Sequence, residues 1–163
     1  MIDSDFIKNS KLFIQNVSRE TLDELNKFSL SIIEKNREIN LISTSTEKSI
    51  NTRHIIDSAQ TIDFINKNDI NICTDLGSGA GLPGIVLAIL MKPKKPEFKV
   101  IFYEKSFHKS NFLKDMSTKF KLNTEIHQKN IFEEKNLSTD VIISRAFKPL
   151  PVIFEISIKK LLL

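Results

Sequence analysis

Cys73 is the only cysteine in this chain of 163 residues. It cannot form an internal disulfide, which fits a reducing compartment. No Cys/His cluster has zinc spacing. No apolar run approaches the roughly 20 residues that a membrane-spanning helix needs. The N-terminal MIDSDFIKNSK lacks the basic, apolar and small-residue order of a secretory signal. The expectation is a cytoplasmic protein. The length suits one domain with a real core. Glycine is scarcer than in ordinary chains, and its placement is uneven. There are four, Gly77, Gly79, Gly81 and Gly84, all within one short segment.

The charge balance says less. Twenty-four basic against 20 acidic side chains leave a net charge of +4. That permits an anionic partner such as RNA, and a lysine-rich codon bias accounts for it equally well.

The chain divides by pattern near residue 70. Before it, Leu22, Leu25, Phe28, Ile32 and Ile39 recur at helical steps and predict a helix over 19–39. Thr44 and Glu47 match a capping box, which predicts a second helix burying Ile55, Ala59, Ile62 and Ile65. After residue 70, strands and helices alternate. Strands are expected at 71–76, 99–103, 124–128 and 140–144, and helices at 83–91, 106–120 and 151–162. The fourth strand (DVIIS) is apolar enough to be buried on both faces. This order predicts an α/β fold with a parallel, doubly wound sheet. The expected division is a helical cap over 1–69 and a Rossmann-like domain over 70–163, forming one compact unit.

The glycines lie in Asp75-Leu-Gly-Ser-Gly-Ala-Gly-Leu-Pro-Gly84, between the first strand and its helix. Glycine is needed where the backbone takes positive φ or a ligand must touch it. A helix N-terminus adds unpaired N–H groups. Such a loop at the carboxyl end of a parallel strand is where open α/β sheets bind ligands. Gly79-x-Gly81-x-x-Gly84 formally matches the dinucleotide fingerprint, yet its third glycine falls after Pro83, already within the helix. An acidic residue, glycines two apart and a following Leu-Pro fit better a loop that cradles the amino-acid part of S-adenosylmethionine. Glu104, ending the second strand, either accepts both hydroxyls of a ribose or merely ends a strand.

With these pieces in place the chain resembles the RsmG (GidB) family, methyltransferases of small-subunit ribosomal RNA. The resemblance runs from about Asn40 to Leu150. It rests on Asn40-Leu41, Arg53-His54-x-x-Asp57-Ser58, the glycine loop, Phe112-Leu113 and Ser144-Arg145-Ala146-Phe147, in that order. It implies a class I methyltransferase that uses S-adenosylmethionine to methylate N7 of one guanine in 16S rRNA of the 30S subunit. The cofactor contacts it implies fall on Gly77, Gly79, Leu82, Glu104, Asn130, Ile131 and Arg145. The family often has a basic residue where Asn111 stands and an acidic one where Ile131 stands, so only main-chain contacts carry over there. A small-molecule methyltransferase and a shortened chain that binds S-adenosylmethionine or RNA without turnover are the alternatives.

Several roles stay open. Arg145 is a candidate clamp for a phosphate, for the guanine O6 edge or for the cofactor carboxylate. His54 and Asp57, spaced i, i+3, either order the loop over the cofactor or form a local pair tethering the cap. Arg53 contacts RNA or is solvated. Lys105, His108, Lys109 and Lys148 lie toward the carboxyl ends of the strands and suit phosphate contacts. Phe147 stacks on a base or packs in the core. Lys92-Pro-Lys-Lys-Pro96 reads as a solvated turn, His108 and His127 as surface residues without partners, and Cys73 as core. Four strands can be placed where the family's sheet carries more. The closing strands are expected to be missing, leaving the Val141-Ile142-Ile143 edge open to self-association unless something covers it.

Overall fold

The computed structural model describes residues 17–67 and 70–161. Helix α1 (Arg19–Asn36) starts at Ser18, whose hydroxyl accepts the Thr21 N–H at 3.1 Å. After it come a 3-10 turn (Thr44–Ser49), a π turn (Asn51–Ile56) running into Asp57–Ala59, and α2 (Ile62–Lys67). Strand β1 (Ile72–Leu76) leads through the glycine loop to α3 (Gly84–Met91). Then follow β2 (Lys99–Tyr103), α4 (Phe107–Phe120), β3 (Thr124–His127), a 3-10 turn (Ile131–Glu133), β4 (Val141–Ser144) and α5 (Leu150–Leu161). The four strands lie in the order β3-β2-β1-β4, every pair parallel.

Period-two alternation sends side chains to two cores. Cys73, Val100 and Phe102 join α1, α3 and α4 in the larger cluster, together with Ile55, Ala59, Ile62 and Ile65 of the cap. Leu76 and Tyr103 point the other way and pack with Ile131, Leu137 and Ile156 of α5. Helix α3 is apolar all round, and every one of its residues is buried, as a helix without a polar face requires. Cys73 is fully buried, as its place in the strand predicts.

The second cap helix differs from its expectation. Thr44 caps nothing. Ser43 is the N-terminal flank and makes no side-chain cap bond. The Glu47 carboxylate instead accepts from Asn36 Nδ2 at 2.6 Å, while Asn36 Oδ1 takes the Leu41 and Ile42 N–H groups at 2.7 and 3.0 Å. A tertiary partner outcompetes the local capping box, and the segment winds as 3-10 and π turns. Strand β4 is only partly buried, because among the described strands it borders β1 alone. Lys92 does not merely face water. Its ammonium bonds Glu24 Oε1 at 2.6 Å and the Phe120 carbonyl at 3.1 Å, tying α1 to α3 and α4. His127 also has partners: it stacks on Tyr103 at 4.9 Å and pairs with Glu125 at 2.8 Å. His108 meets Phe107 edge-on. Among the described residues, no helix is long and apolar enough to cross a membrane.

Candidate functional site

Parallel register brings the loops together. Leu76 pairs with Tyr103 on one side and Ser144 on the other. Gly77, Glu104 and Arg145, one residue further along each strand, therefore emerge side by side at the carboxyl edge. Two adjoining clefts open there. Gly77, Glu104 and Ala146 line both. The first is completed by Lys105, Asn130, Ile131 and Phe147. The second runs under the cap, past Gly79, Leu82, Lys109 and Arg145, to Leu41, Ser43 and His54.

The loop is built for close approach. Gly77, Gly79 and Gly81 have φ of 67°, 53° and 80°, a region that costs other residues about 1–2 kcal/mol. A Cβ on Gly79 would meet only the Gly77 carbonyl oxygen, at 3.8 Å, so that side is open. Glu104, 8% exposed, fixes the loop from β2. Its Oε2 accepts the Gly79 N–H at 2.9 Å and its Oε1 the Ser106 N–H at 2.8 Å. Asn130 caps the turn after β3 through the Phe132 N–H at 3.3 Å, and Ile131 is buried beneath it.

Asp75 supports the loop from below. It is fully buried, and its Oδ2 accepts the Gly84 N–H at 3.0 Å. Its Oδ1 meets no donor among the described residues. Burial, aided by the nearby Glu104 charge, lifts its pKa to about 7, against the Gly84 hydrogen bond and the Arg145 charge, which both lower it. The folded state therefore keeps a proton that the unfolded chain releases near pH 3.8. The stability due to that proton is complete below the unfolded value and is lost as pH rises to about 7. The difference is on the order of 4 kcal/mol. Asp75→Asn, isosteric with the protonated acid, should abolish this part of the slope. Urea melts at a series of pH values from acid to neutral, comparing the two chains, test it; parallel slopes would refute it.

Most sequence-derived site residues divide between the clefts, but Asp57, His108 and Lys148 line neither, and nor does Arg53. That residue is exposed, and its carbonyl oxygen accepts from Arg145 Nη1 at 3.4 Å. His54 and Asp57 both turn to Arg145 instead of forming a local pair: Asp57 Oδ2 at 3.1 Å from Nη1, and His54 Nδ1 against Nη2. Phe147 packs against the Gly77 backbone and the smaller core. Sequence reasoning missed Ser43, Thr46 and Ala146. Ala146 carries a φ of 52°, which no residue type announces.

Comparison with known proteins decides the family. A family model described as "rRNA small subunit methyltransferase G" matches residues 21–163. The chain belongs to the rRNA small subunit methyltransferase G family. A relative of that name from Pelagibacter ubique (strain HTCC1062) is 51% identical over 147 residues, covering 89% of this chain and 68% of its own length. One from Cereibacter sphaeroides is 40% identical over 135 residues, covering 83% of this chain and 64% of its own. The chain thus spans about two thirds of the length of these relatives. Among solved structures, a Plasmodium falciparum protein titled a putative protein-L-isoaspartate O-methyltransferase, in complex with S-adenosyl-L-homocysteine, aligns with a TM-score of 0.56 at 19% identity. It covers 96% of this chain and 78% of that one. Coclaurine N-methyltransferase aligns at 0.50 with 16% identity, over 86% of this chain and 45% of its own. Both likenesses establish the class I methyltransferase fold.

Proposed function

We propose that this chain carries the S-adenosylmethionine site of an enzyme that methylates N7 of a guanine in 16S rRNA of the small ribosomal subunit. The observation that supports it best is Glu104. It is a nearly buried carboxylate that braces the open glycine loop at the junction of the two clefts, in a chain of the methyltransferase G family. The carboxylate keeps lone pairs for two ribose hydroxyls. Gly77, Gly79 and Leu82 would hold the amino-acid end, and Asn130 and Ile131 the base. The unobstructed side of Gly79 fits such a ligand. Of the expected 1–69 cap, residues 17–67 are described, and they act as the cap over this site.

S-adenosylmethionine, when bound, supplies a methyl group on a sulfonium. Guanine N7 offers an in-plane lone pair and carries no hydrogen, so the chain needs no general base. Its residues have to align and desolvate the partners. The methylated ring becomes positive, so Arg145 serves better as a positioning group than at the base itself. Lys105 and Lys109, each lining one cleft, supply phosphate contacts with a salt-sensitive share of affinity.

The test is transfer of labelled methyl groups to 30S subunits and to naked rRNA from an unmethylated strain. Label at guanine N7 is the expected result. S-adenosylhomocysteine binding without transfer would point to a non-catalytic binding chain. Label only in small molecules would overturn the RNA reading.

A further inference from the structure

Arg145 follows the last residue of β4, yet its guanidinium reaches the cap. Nη1 donates to the Arg53 carbonyl at 3.4 Å and to Asp57 Oδ2 at 3.1 Å, and Nη2 faces His54 Nδ1. A guanidinium only donates, so Nδ1 must accept and the imidazole proton sits on Nε2. That Nε2–H lies 2.8 Å from Thr46 Oγ1, and the Thr46 hydroxyl donates to the Ser43 carbonyl at 2.8 Å. Every bond in the chain points one way, from β4 to Ser43. Ser43 and Leu41 form the cap wall of the second cleft.

On its other side Arg145 leads into Ala146, at φ 52°, and Phe147, whose ring lies on Gly77. A non-glycine residue stays in that region only where its surroundings over-determine it. Arg145 bonded to the cap and Phe147 packed on the loop hold the two ends of this strained turn.

We propose that Arg145 is a positioning residue that latches the cap to the carboxyl end of β4 through His54 and Thr46, and so sets the spacing of the cleft walls. Its role in cofactor binding rests on the function proposed above; the latch itself does not. Neutral His54 is required, because a protonated Nδ1 would oppose the guanidinium. The charged groups facing the ring are Arg145 from β4 and Arg53 and Asp57 from the cap. Burial and the two arginines lower the pKa of His54, while Asp57 raises it. The latch should therefore hold at neutral pH and release on acidification.

Two readouts test this on the full chain. The first needs no ligand: amide hydrogen exchange across residues 41–46. Arg145→Lys and His54→Ala should speed it by about tenfold or more, a local opening without global unfolding. Thr46→Val, which leaves the guanidinium contacts intact, should do so too. His54→Asn, whose amide oxygen can replace Nδ1 as acceptor but whose side chain stops short of Thr46, should keep the Arg145 contact and yet exchange as fast as Thr46→Val. The second readout is S-adenosylhomocysteine affinity by calorimetry from about pH 5.5 to about 8. Wild type should lose affinity toward acid relative to His54→Asn; the Asp75 titration is common to both chains and cancels. Unchanged exchange in His54→Ala and Thr46→Val would overturn the latch, as would an acid loss that persists in His54→Asn. A wild type that binds no S-adenosylhomocysteine would defeat the proposed function, and the exchange measurement would still decide the latch.

Discussion

Gly77→Ala should cost this chain both stability and its cofactor site. Two penalties coincide at that position. Its φ of 67° is unfavourable for alanine, by about 1–2 kcal/mol. An added Cβ would also lie 2.1 Å from Phe147 Cδ2 and 2.7 Å from Cγ. Those atoms belong to the root of a rigid ring, so the whole ring must swing away. Overpacking of this kind adds about 1–3 kcal/mol. Displacing Phe147 moves one wall of the first cleft. The expected outcome is a loss of roughly 2–5 kcal/mol in urea melts, with S-adenosylhomocysteine affinity at least about tenfold weaker.

Gly79→Ala provides the internal control. Its φ of 53° carries a similar backbone cost, but its Cβ would enter open space. Stability should fall by only about 1–2 kcal/mol. Equal destabilisation by the two substitutions would show that the Phe147 contact is not what constrains Gly77.

The contrast between these glycines was hidden in the sequence, although their clustering was plain. Spacing and neighbours marked the loop, because positive φ next to a helix start leaves few residue choices. The strands were equally legible, since alternating faces and short apolar runs follow from the two cores. Helix α3 and the order of strands also followed from pattern. The cap did not. Its 3-10 and π turns depend on Asn36 capturing both Glu47 and the Leu41 and Ile42 amides, a tertiary arrangement that a capping-box match cannot foresee. The partners of Arg145 were invisible for the same reason. His54 and Asp57 stand 91 and 88 residues away in the chain from the arginine they hold, and their i, i+3 spacing suggested a local pair. Ala146 shows a further limit: with every glycine committed to the loop, a positive-φ turn elsewhere had to use another residue.

Glu104→Gln should weaken S-adenosylhomocysteine binding about 100-fold, from the loss of charge-assisted bonds worth roughly 1.5–3 kcal/mol each. The substitution is conservative in shape and disruptive in hydrogen bonding. Both carboxylate oxygens accept backbone N–H groups, from Gly79 at 2.9 Å and Ser106 at 2.8 Å. Glutamine has one oxygen, so its amide must turn an N–H toward one of two N–H donors. If it faces Gly79, the loop loses its brace; if it faces Ser106, the start of α4 does. One nearly buried donor is left unpaired in either orientation, a cost of about 1–3 kcal/mol. The ligand suffers separately, because ribose hydroxyls meet a neutral acceptor with half the lone pairs. Glu104→Asp separates the two effects. It retains the charge but is one methylene short, so it cannot reach both amides from the end of β2. It should destabilise the loop comparably while losing less affinity than glutamine. Calorimetry beside urea melts distinguishes them. A Glu104→Gln chain that is destabilised yet binds within about threefold of wild type would leave Glu104 as a brace for the loop and remove it from the ribose.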